Sequence, residues 1–183
     1  MQNKNNTSKI NLFITLIILV QIIFTGQVSG SIESDTHLKN ANALSRTEKW
    51  NEAIVEYNKT LELDSENTEA LANLGVAYSR LNNHKKALLN YEKALIKGYD
   101  NAMFRYFRGL SFANLSLLDE AVKEINLALQ MNPRLMEAKF DLGIIYQMRG
   151  QSGLAREQVK KLYSVSPKLA KKLFDKVSPV CKY

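Results

Sequence analysis

The sequence predicts an all-α protein, a solenoid of four helix-turn-helix repeats followed by a C-terminal capping helix. Alanine recurs at intervals of 34 residues, and small and large apolar residues recur in the same register. Within the second period, Leu71, Leu74, Gly75 and Tyr78 follow the i, i+3, i+4, i+7 spacing of one helix face. Turn-forming residues beginning at Asn82 come next and divide the period into two helices.

The period also sets the expected boundaries. Two columns, each a set of residues at the same place in successive periods, define it: the alanines Ala53, Ala87, Ala121 and Ala155, and the small residues Ala41, Gly75, Gly109 and Gly143. Within a domain over 31–169 the repeats are predicted at 34–67, 68–101, 102–135 and 136–169, with a capping helix and basic tail over 170–183. One helix pair cannot bury its apolar face alone, so stacking must form the core.

The cap is expected to be a helix from Ala170 to Val177. Leu173, Phe174 and Val177 would face the fourth repeat, while the intervening lysines stay in water.

These columns resemble those of the tetratricopeptide repeat (TPR) family. The second repeat matches best, with Leu71, Leu74-Gly75, Tyr78, Ala87, Tyr91 and Ala94. The third repeat departs by placing Arg105 and Arg108 at positions that are usually apolar, and the first departs with His37 and Asn40. The resemblance implies a right-handed superhelix whose concave wall is made by the first helix of each pair.

That geometry implies a groove with an apolar patch in its later repeats. The candidate binding residues are Tyr106, Leu110, Phe140, Ile144, Val76 and Asn42. An exposed apolar cluster of this kind is typical of a binding surface for an amphipathic helix or an apolar peptide segment of a protein partner. The alternatives are that these side chains serve ordinary packing between helices, or that the C-terminal tail or another copy of the chain covers them.

The terminal-carboxylate clamp of chaperone-binding TPR proteins is not expected. Asn42 and Asn73 match its two asparagines, but Leu38, Met103 and Phe107 replace its three cations. Neutral donors cannot substitute for cations that face a carboxylate.

Residues 1–30 are predicted to be a secretory signal peptide. Lys4 and Lys9 precede an apolar run over 12–24, and small residues lead to a cleavage site before Ser31. An uncleaved N-terminal membrane anchor is the alternative. Both interpretations predict export to the periplasm or the medium, and the richness in Lys, Asn and Ile is typical of a bacterial protein.

The C-terminal end is strongly basic, with eight basic and two acidic residues over 154–183. The candidate basic surface comprises Lys160, Lys161, Lys171 and Lys172. It could contact an anionic membrane surface or an acidic envelope polymer. The alternative is a solvated end cap that keeps the solenoid soluble. Nucleic acid is not an expected partner, because no recognised binding motif is present.

The sequence offers few residues for catalysis. One cysteine, Cys181, and two histidines, His37 and His84, predict no catalytic, cofactor or metal site. The functional hypothesis is therefore a noncatalytic interaction module or assembly scaffold. The alternatives are an enzyme-associated or substrate-handling factor of the envelope, and a self-associating structural solenoid.

Overall fold

The computed structural model describes residues 16–17, 20–21 and 30–178, and every regular element in these ranges is α-helical. The predicted all-α class is confirmed. In chain order the helices are α1 (30–46), α2 (Trp50–Leu63), α3 (Thr68–Arg80), α4 (His84–Ile96), α5 (Ala102–Asn114), α6 (Leu118–Met131), α7 (Met136–Met148), α8 (Ser152–Tyr163) and α9 (Pro167–Val177).

The chain divides into two compact units, with the boundary between Ala70 and Leu71 inside α3. In the first unit, α1 packs on α2 through Ala53, which is fully buried, and Tyr57, which is 1% exposed. The Tyr57 hydroxyl donates to Asn42 Oδ1 at 2.8 Å. This bond ties the two helices together inside the pair.

The second unit is built by helices that pack on their neighbours in the chain, from α4 through α9, and α7 also packs on α9. A continuous apolar core runs through its later helices. The largest fully buried core side chains are Ile125, Leu142, Leu162, Leu173 and Val177.

The turn inside each helix pair repeats at the level of the backbone. A residue with positive φ recurs every 34 residues, at Glu48, Asn82, Ser116 and Gly150. The next N–H donates to a carbonyl five residues earlier, as Asn83 N does to Tyr78 O at 2.9 Å. This is the Schellman ending of a helix, which favours glycine or asparagine at the left-handed residue. Only two of the four turns use those types, so composition alone does not reveal the motif.

The small-residue column lies where the two helices of a pair touch. A Cβ added to Gly109 would come 2.6 Å from Ile125 Cγ1, and one added to Gly75 would come 2.5 Å from the Tyr91 ring. The alanine column is equally tight, since Ala87 and Ala121 are fully buried. Helix pairs in the second unit therefore approach too closely for larger side chains at these positions.

The capping helix differs from its prediction in two respects. It begins at Pro167, three residues before Ala170, because Ser166 acts as an N-cap that accepts from Leu169 N at 3.4 Å and proline suits the first helical turn. Leu173 and Val177 are buried as expected, but Phe174 is 49% exposed. Leu173 and Val177 lie four residues apart on one face, and Phe174 lies about 100° around the helix from Leu173.

Within the described residues, no helix has both the length and the apolar composition needed to cross a membrane. Most of the predicted leader over 1–30, and Cys181 with the rest of the tail after 178, lie outside the described residues.

Candidate peptide-binding face

Helices α5 and α7 each carry two partly buried apolar side chains that share one face of their own helix. These four residues, Phe107, Leu110, Phe140 and Ile144, are named here the groove face. Their spacings of three and four residues keep each pair on one helix face. All four are only partly buried, and they rest on the fully buried core. The surface is therefore apolar, accessible and firmly backed.

Tyr106 is not part of this accessible surface. We expected its ring to line the groove, but it is 8% exposed and belongs to the core cluster. Its hydroxyl donates to Asp141 Oδ2 at 2.6 Å, so the ring is anchored between α5 and α7. Burial and the bond to Asp141 raise the pKa of the Tyr106 phenol, which keeps it protonated as a donor. Tyr106 therefore holds the two helices in register beneath the groove face.

Cations flank the groove face at both sides. Arg80 Cζ, from the end of α3, lies 5.6 Å from the Phe107 ring centroid. Lys172 Nζ, from α9, lies 5.7 Å from the Phe140 ring centroid. Cation–π contacts of this length orient the rings and leave charge at the edges of an apolar strip.

An acid is placed close to the rings. Burial raises the pKa of Asp141, and the nearby Glu137 raises it further, while the Tyr106 hydrogen bond acts in the opposite direction. The groove face thus has a cation near each of its two rings, and Asp141, next to Phe140 in the chain, binds the buried Tyr106 hydroxyl. That pattern suits a segment with one apolar side and charged flanks.

The helix that carries Phe107 and Leu110 is held by an ion cluster on its other side. Glu124 of α6 accepts from Arg105 at 3.1 Å and from Arg108 at 3.0 Å, and its side chain is 6% exposed. Arg105 also forms a bidentate pair with Asp100, at 2.7 and 2.6 Å. The Asp100 bonds, joined by those to Glu124, raise the pKa of Arg105. These contacts replace the apolar packing that the family pattern would place here.

The N-terminus of α5 is fixed as well. The Asn101 side chain accepts from Phe104 N at 3.0 Å, which satisfies one of the free N–H groups of the first turn. The start of the helix, and hence the register of its groove residues, is set by this cap.

The two remaining candidate groove residues, Val76 and Asn42, are not part of the groove face. Val76 is partly buried on α3 in the second unit. Asn42 lies in the first unit, where its amide donates to Glu69 Oε1 at 3.0 Å and accepts from Tyr57. The structure therefore brings together Leu110, Phe140 and Ile144 around the buried Tyr106, and Asn42 serves the packing of its own unit.

The four lysines of the candidate basic surface have different surroundings. Lys161 pairs with Glu157 at 2.9 Å, and Lys171 pairs with Asp175 at 3.1 Å. Lys172 stands over the Phe140 ring, and Lys160 is exposed on α8. Two of the four charges are therefore compensated within their own helices.

Sequence reasoning missed Arg80 and Asp141. Asp141 occupies a column whose other members are Lys39, Asn73 and Phe107, so the column shares no property that marks a role. Arg80 contacts a ring 27 positions later, which only the assembled helices reveal. Among the described residues, no group of three or more His, Cys, Asp or Glu side chains could hold a metal ion.

Comparison with family models identifies the repeats. The model "TPR repeat" matches residues 41–82, and the model "Tetratricopeptide repeat" matches residues 77–135. Together these matches cover more than half of the chain.

Among curated proteins, the Photosystem I assembly protein Ycf3 of Acaryochloris marina (strain MBIC 11017) is 32% identical over 80 residues. The match covers 42% of this chain and 48% of the relative, so the chain spans about half of that protein's length.

Two solved structures are similar in fold. YrrB, described as a TPR protein with an unusual peptide-binding site, is 25% identical with a TM-score of 0.66, over 77% of this chain and 82% of that one. The first TPR domain of Spaghetti (RPAP3), bound to the HSP90 peptide SRMEEVD, is 26% identical with a TM-score of 0.62, over 66% of this chain and 95% of that one. The fold is an all-α TPR superhelix, and the chain belongs to the tetratricopeptide repeat family.

Proposed function

We propose that this protein is a noncatalytic binding module whose groove face takes an amphipathic or apolar segment of a partner protein. TPR proteins mediate protein–protein or peptide binding, and two of the similar structures carry a peptide or a peptide-binding site in their descriptions. The observation that supports this site is the accessible apolar strip on α5 and α7, backed by core and flanked by Arg80 and Lys172. Such a strip suits apolar anchor residues better than an acidic tail.

The acidic ligand of the RPAP3 domain is not the expected type here. The peptide SRMEEVD carries three acidic side chains. In this chain Met103 is 45% exposed and Phe107 contributes an aromatic ring, at positions where the clamp resemblance implies cations. A carboxylate placed against these apolar groups would lose hydration, and Leu38, Met103 and Phe107 supply none of the three cations that would offset that loss in the clamp.

A role in assembling other proteins is the form of binding we favour. Ycf3 is named an assembly protein, and the match covers about half of it. We further propose that the protein acts as a scaffold in the cell envelope after export. The basic start, the apolar run over 12–24 and the small residues before Ser31 support export.

Peptide display against the purified protein tests the binding site. Selected peptides should carry apolar residues at helical spacing and should bind the wild type in a fluorescence-anisotropy assay. Phe140→Ala should weaken their binding by at least about thirtyfold, or about 2 kcal/mol, because buried aromatic anchors dominate interface energies. Leu89→Ala is the matched control, since Leu89 is an exposed apolar residue on α4.

Circular dichroism separates binding from folding in the same variants. Phe140→Ala should retain its helical signal, because the ring is only partly buried. Unchanged affinity in a folded Phe140→Ala protein would reject the groove face and move the site towards Lys160, Lys161, Lys171 and Lys172.

Export is tested by intact-mass analysis of the protein from native cells. A chain that begins at or near Ser31 is expected. A full-length chain retained in the membrane would support the uncleaved anchor instead.

A further inference from the structure

Each of the two units carries an apolar groove. In the first unit the N-terminal groove runs between α1 and α2 and is lined by Ala43, Leu44 and Val55. In the second unit the C-terminal groove runs between α8 and α9 and is lined by Val159, Tyr163 and Phe174.

One residue of the N-terminal groove, Ala43, belongs to a column whose later members face a neighbouring repeat. Ser111 shows the direction of this column, because its Oγ lies 3.2 Å from Ser79 Oγ on the preceding first helix. The counterparts Ala77, Ser111 and Ile145 are 0%, 0% and 3% exposed, whereas Ala43 is exposed. Ala43 is therefore an exposed member of a column whose later members are buried against neighbouring helices.

The C-terminal groove of the second unit also exposes large apolar side chains. Tyr163 belongs to a column whose other members, Leu61, Leu95 and Leu129, are all partly buried. Tyr163 itself is 67% exposed, and Phe174 is 49% exposed. In a solenoid the stability of each repeat depends on the interface with its neighbour, so exposed members of these columns do not contribute that stabilisation.

The two grooves lie in chain segments of opposite net charge. Residues 30–70 hold nine acidic and four basic residues, and residues 154–178 hold seven basic and two acidic residues. At the N-terminal groove Glu52 is 60% exposed, with Lys49 at 3.8 Å as its partner. At the C-terminal groove Lys168 is exposed and Lys171 is paired only with the exposed Asp175. Opposite fields of this size attract two copies of the chain in a head-to-tail orientation.

We propose that two copies of this chain associate head to tail, with the acidic N-terminal groove of one copy covering the basic C-terminal groove of the next. The occupant of each groove is thus a repeat of the same family, which is the kind of surface that both columns pack against inside the chain. Such a contact is heterologous and leaves one N-terminal and one C-terminal groove unoccupied in the dimer, so it can add further copies. It is independent of peptide binding at the groove face.

Cysteine crosslinking of the full-length chain tests the orientation of the contact. In a Cys181→Ser background, one tagged copy carries Val55→Cys and a second, differently tagged copy carries Tyr163→Cys. A short bismaleimide should join the two tags, and neither variant should crosslink with itself. A chain that carries both cysteines should give a ladder of trimers and larger species.

Charge variants test the basis of the attraction by sedimentation of the same full-length chain. Lys168→Glu should weaken self-association by about tenfold at low salt, and added salt should reduce the difference. A mixture of Lys168→Glu with Glu52→Lys should restore association between the two variants. Lys123→Glu is the matched control, since Lys123 is an exposed lysine on α6, outside both grooves.

Three results would overturn the proposal. One is a monomer at every concentration, with the grooves covered by another segment of the same chain or by a membrane. Another is self-crosslinking of Val55→Cys as strong as the mixed product, which would indicate a two-fold contact. The last is equal association of Lys168→Glu and Lys123→Glu.

Discussion

The α3–α4 and α5–α6 helix pairs have the same turn and the same close approach at glycine, yet they fill their interiors differently. In the α3–α4 pair, Leu71 and Leu74 are 4% and 3% exposed. Thirty-four residues later, the same two columns hold Arg105 and Arg108. Both arginines reach Glu124, in the column where the earlier pair has the buried Asn90.

The comparison indicates that the residues in these three columns change together from one repeat to the next. A buried arginine in place of leucine would be costly alone, but Glu124 accepts hydrogen bonds from both arginines and Asp100 supplies a second negative charge. The first repeat supports this interpretation, because His37 and Glu56 occupy the same two columns as Arg105 and Glu124. Their side chains lie 2.6 Å apart.

The largest expected effect comes from removing the shared acid. Glu124→Gln would leave Arg108 without an anion and Arg105 with Asp100 alone, so the free energy of unfolding should fall by about 3–5 kcal/mol. Urea denaturation followed by circular dichroism measures the change. Glu120→Gln, at an exposed acid on the same helix, should stay within about 0.5 kcal/mol of the wild type.

Transplanting the earlier pair sharpens the comparison. The triple variant Arg105→Leu, Arg108→Leu and Glu124→Asn recreates the Leu71, Leu74 and Asn90 set. It should be as stable as the wild type or more stable, because replacing a whole buried ion cluster by apolar packing is often neutral or favourable. A triple variant less stable than Glu124→Gln alone would contradict the idea that the columns are exchangeable as a set.

The next effect tests what the two pairs share. Gly75→Leu and Gly109→Leu should each lower the free energy of unfolding by about 1–3 kcal/mol, because even a Cβ at either position meets a buried side chain. Thermal melts measure both. Gly153→Ala is the control, since no atom lies within 4 Å of its added Cβ. A large loss at only one glycine would show that the two pairs do not share the same approach.

The smallest expected effect concerns Asp141, a partly buried acid. Its hydrogen-bond partner is the Tyr106 hydroxyl, whereas Glu124 is paired with two arginines. The pKa of Asp141 is raised in the fold by burial and then by Glu137, so its ionisation reduces stability as pH rises above its ordinary value of 3.8. Asp141→Asn keeps an acceptor for Tyr106 and should be more stable than the wild type at pH 7. The advantage should vanish below about pH 3.8, where both folded and unfolded Asp141 are protonated.

Urea denaturation from pH 3 to pH 8 provides the test. A constant difference between Asp141→Asn and the wild type across this range would mean that its carboxylate is not destabilised by burial. Tyr106→Phe is a useful second background, because it removes the hydrogen bond that lowers the pKa of Asp141. In that background the stability gained by Asp141→Asn at pH 7 should be larger.

The repeat pattern predicted most of the fold because spacing alone carries that information. The small-residue column that defined the period lies where helices touch, since a Cβ at Gly75 or Gly109 would come within 2.6 Å of a buried side chain. The sequence revealed the arginines of the ion cluster but not its glutamate. Arg105 and Arg108 stood out as departures, but Glu124 lies 19 positions from Arg105 and its role depends on which columns meet. His37 and Glu56 occupy the same two columns in the first repeat, and this basic–acidic pair was the sequence signal that could have revealed the role of Glu124.

The candidate site was harder to predict, because a helix face does not distinguish a groove from a core. Tyr106 and Phe140 occupy one column, yet Tyr106 is 8% exposed while Phe140 is only partly buried beside Lys172. The difference depends on Asp141, which draws the Tyr106 hydroxyl inward. Phe174 shows the opposite error, since a residue assigned to the core by its apolar character is half exposed.

Methyl NMR of the protein with a displayed peptide tests most directly the claim that a partner segment lies on the groove face. Leucine and isoleucine methyl groups report the binding position without any substitution. The account predicts that the methyl signals of Leu110 and Ile144 shift most on titration, while those of Leu89 on α4 stay unchanged. Shifts centred on Leu169 and Leu173, with Leu110 and Ile144 unaffected, would place the ligand at the basic C-terminal end and contradict the account.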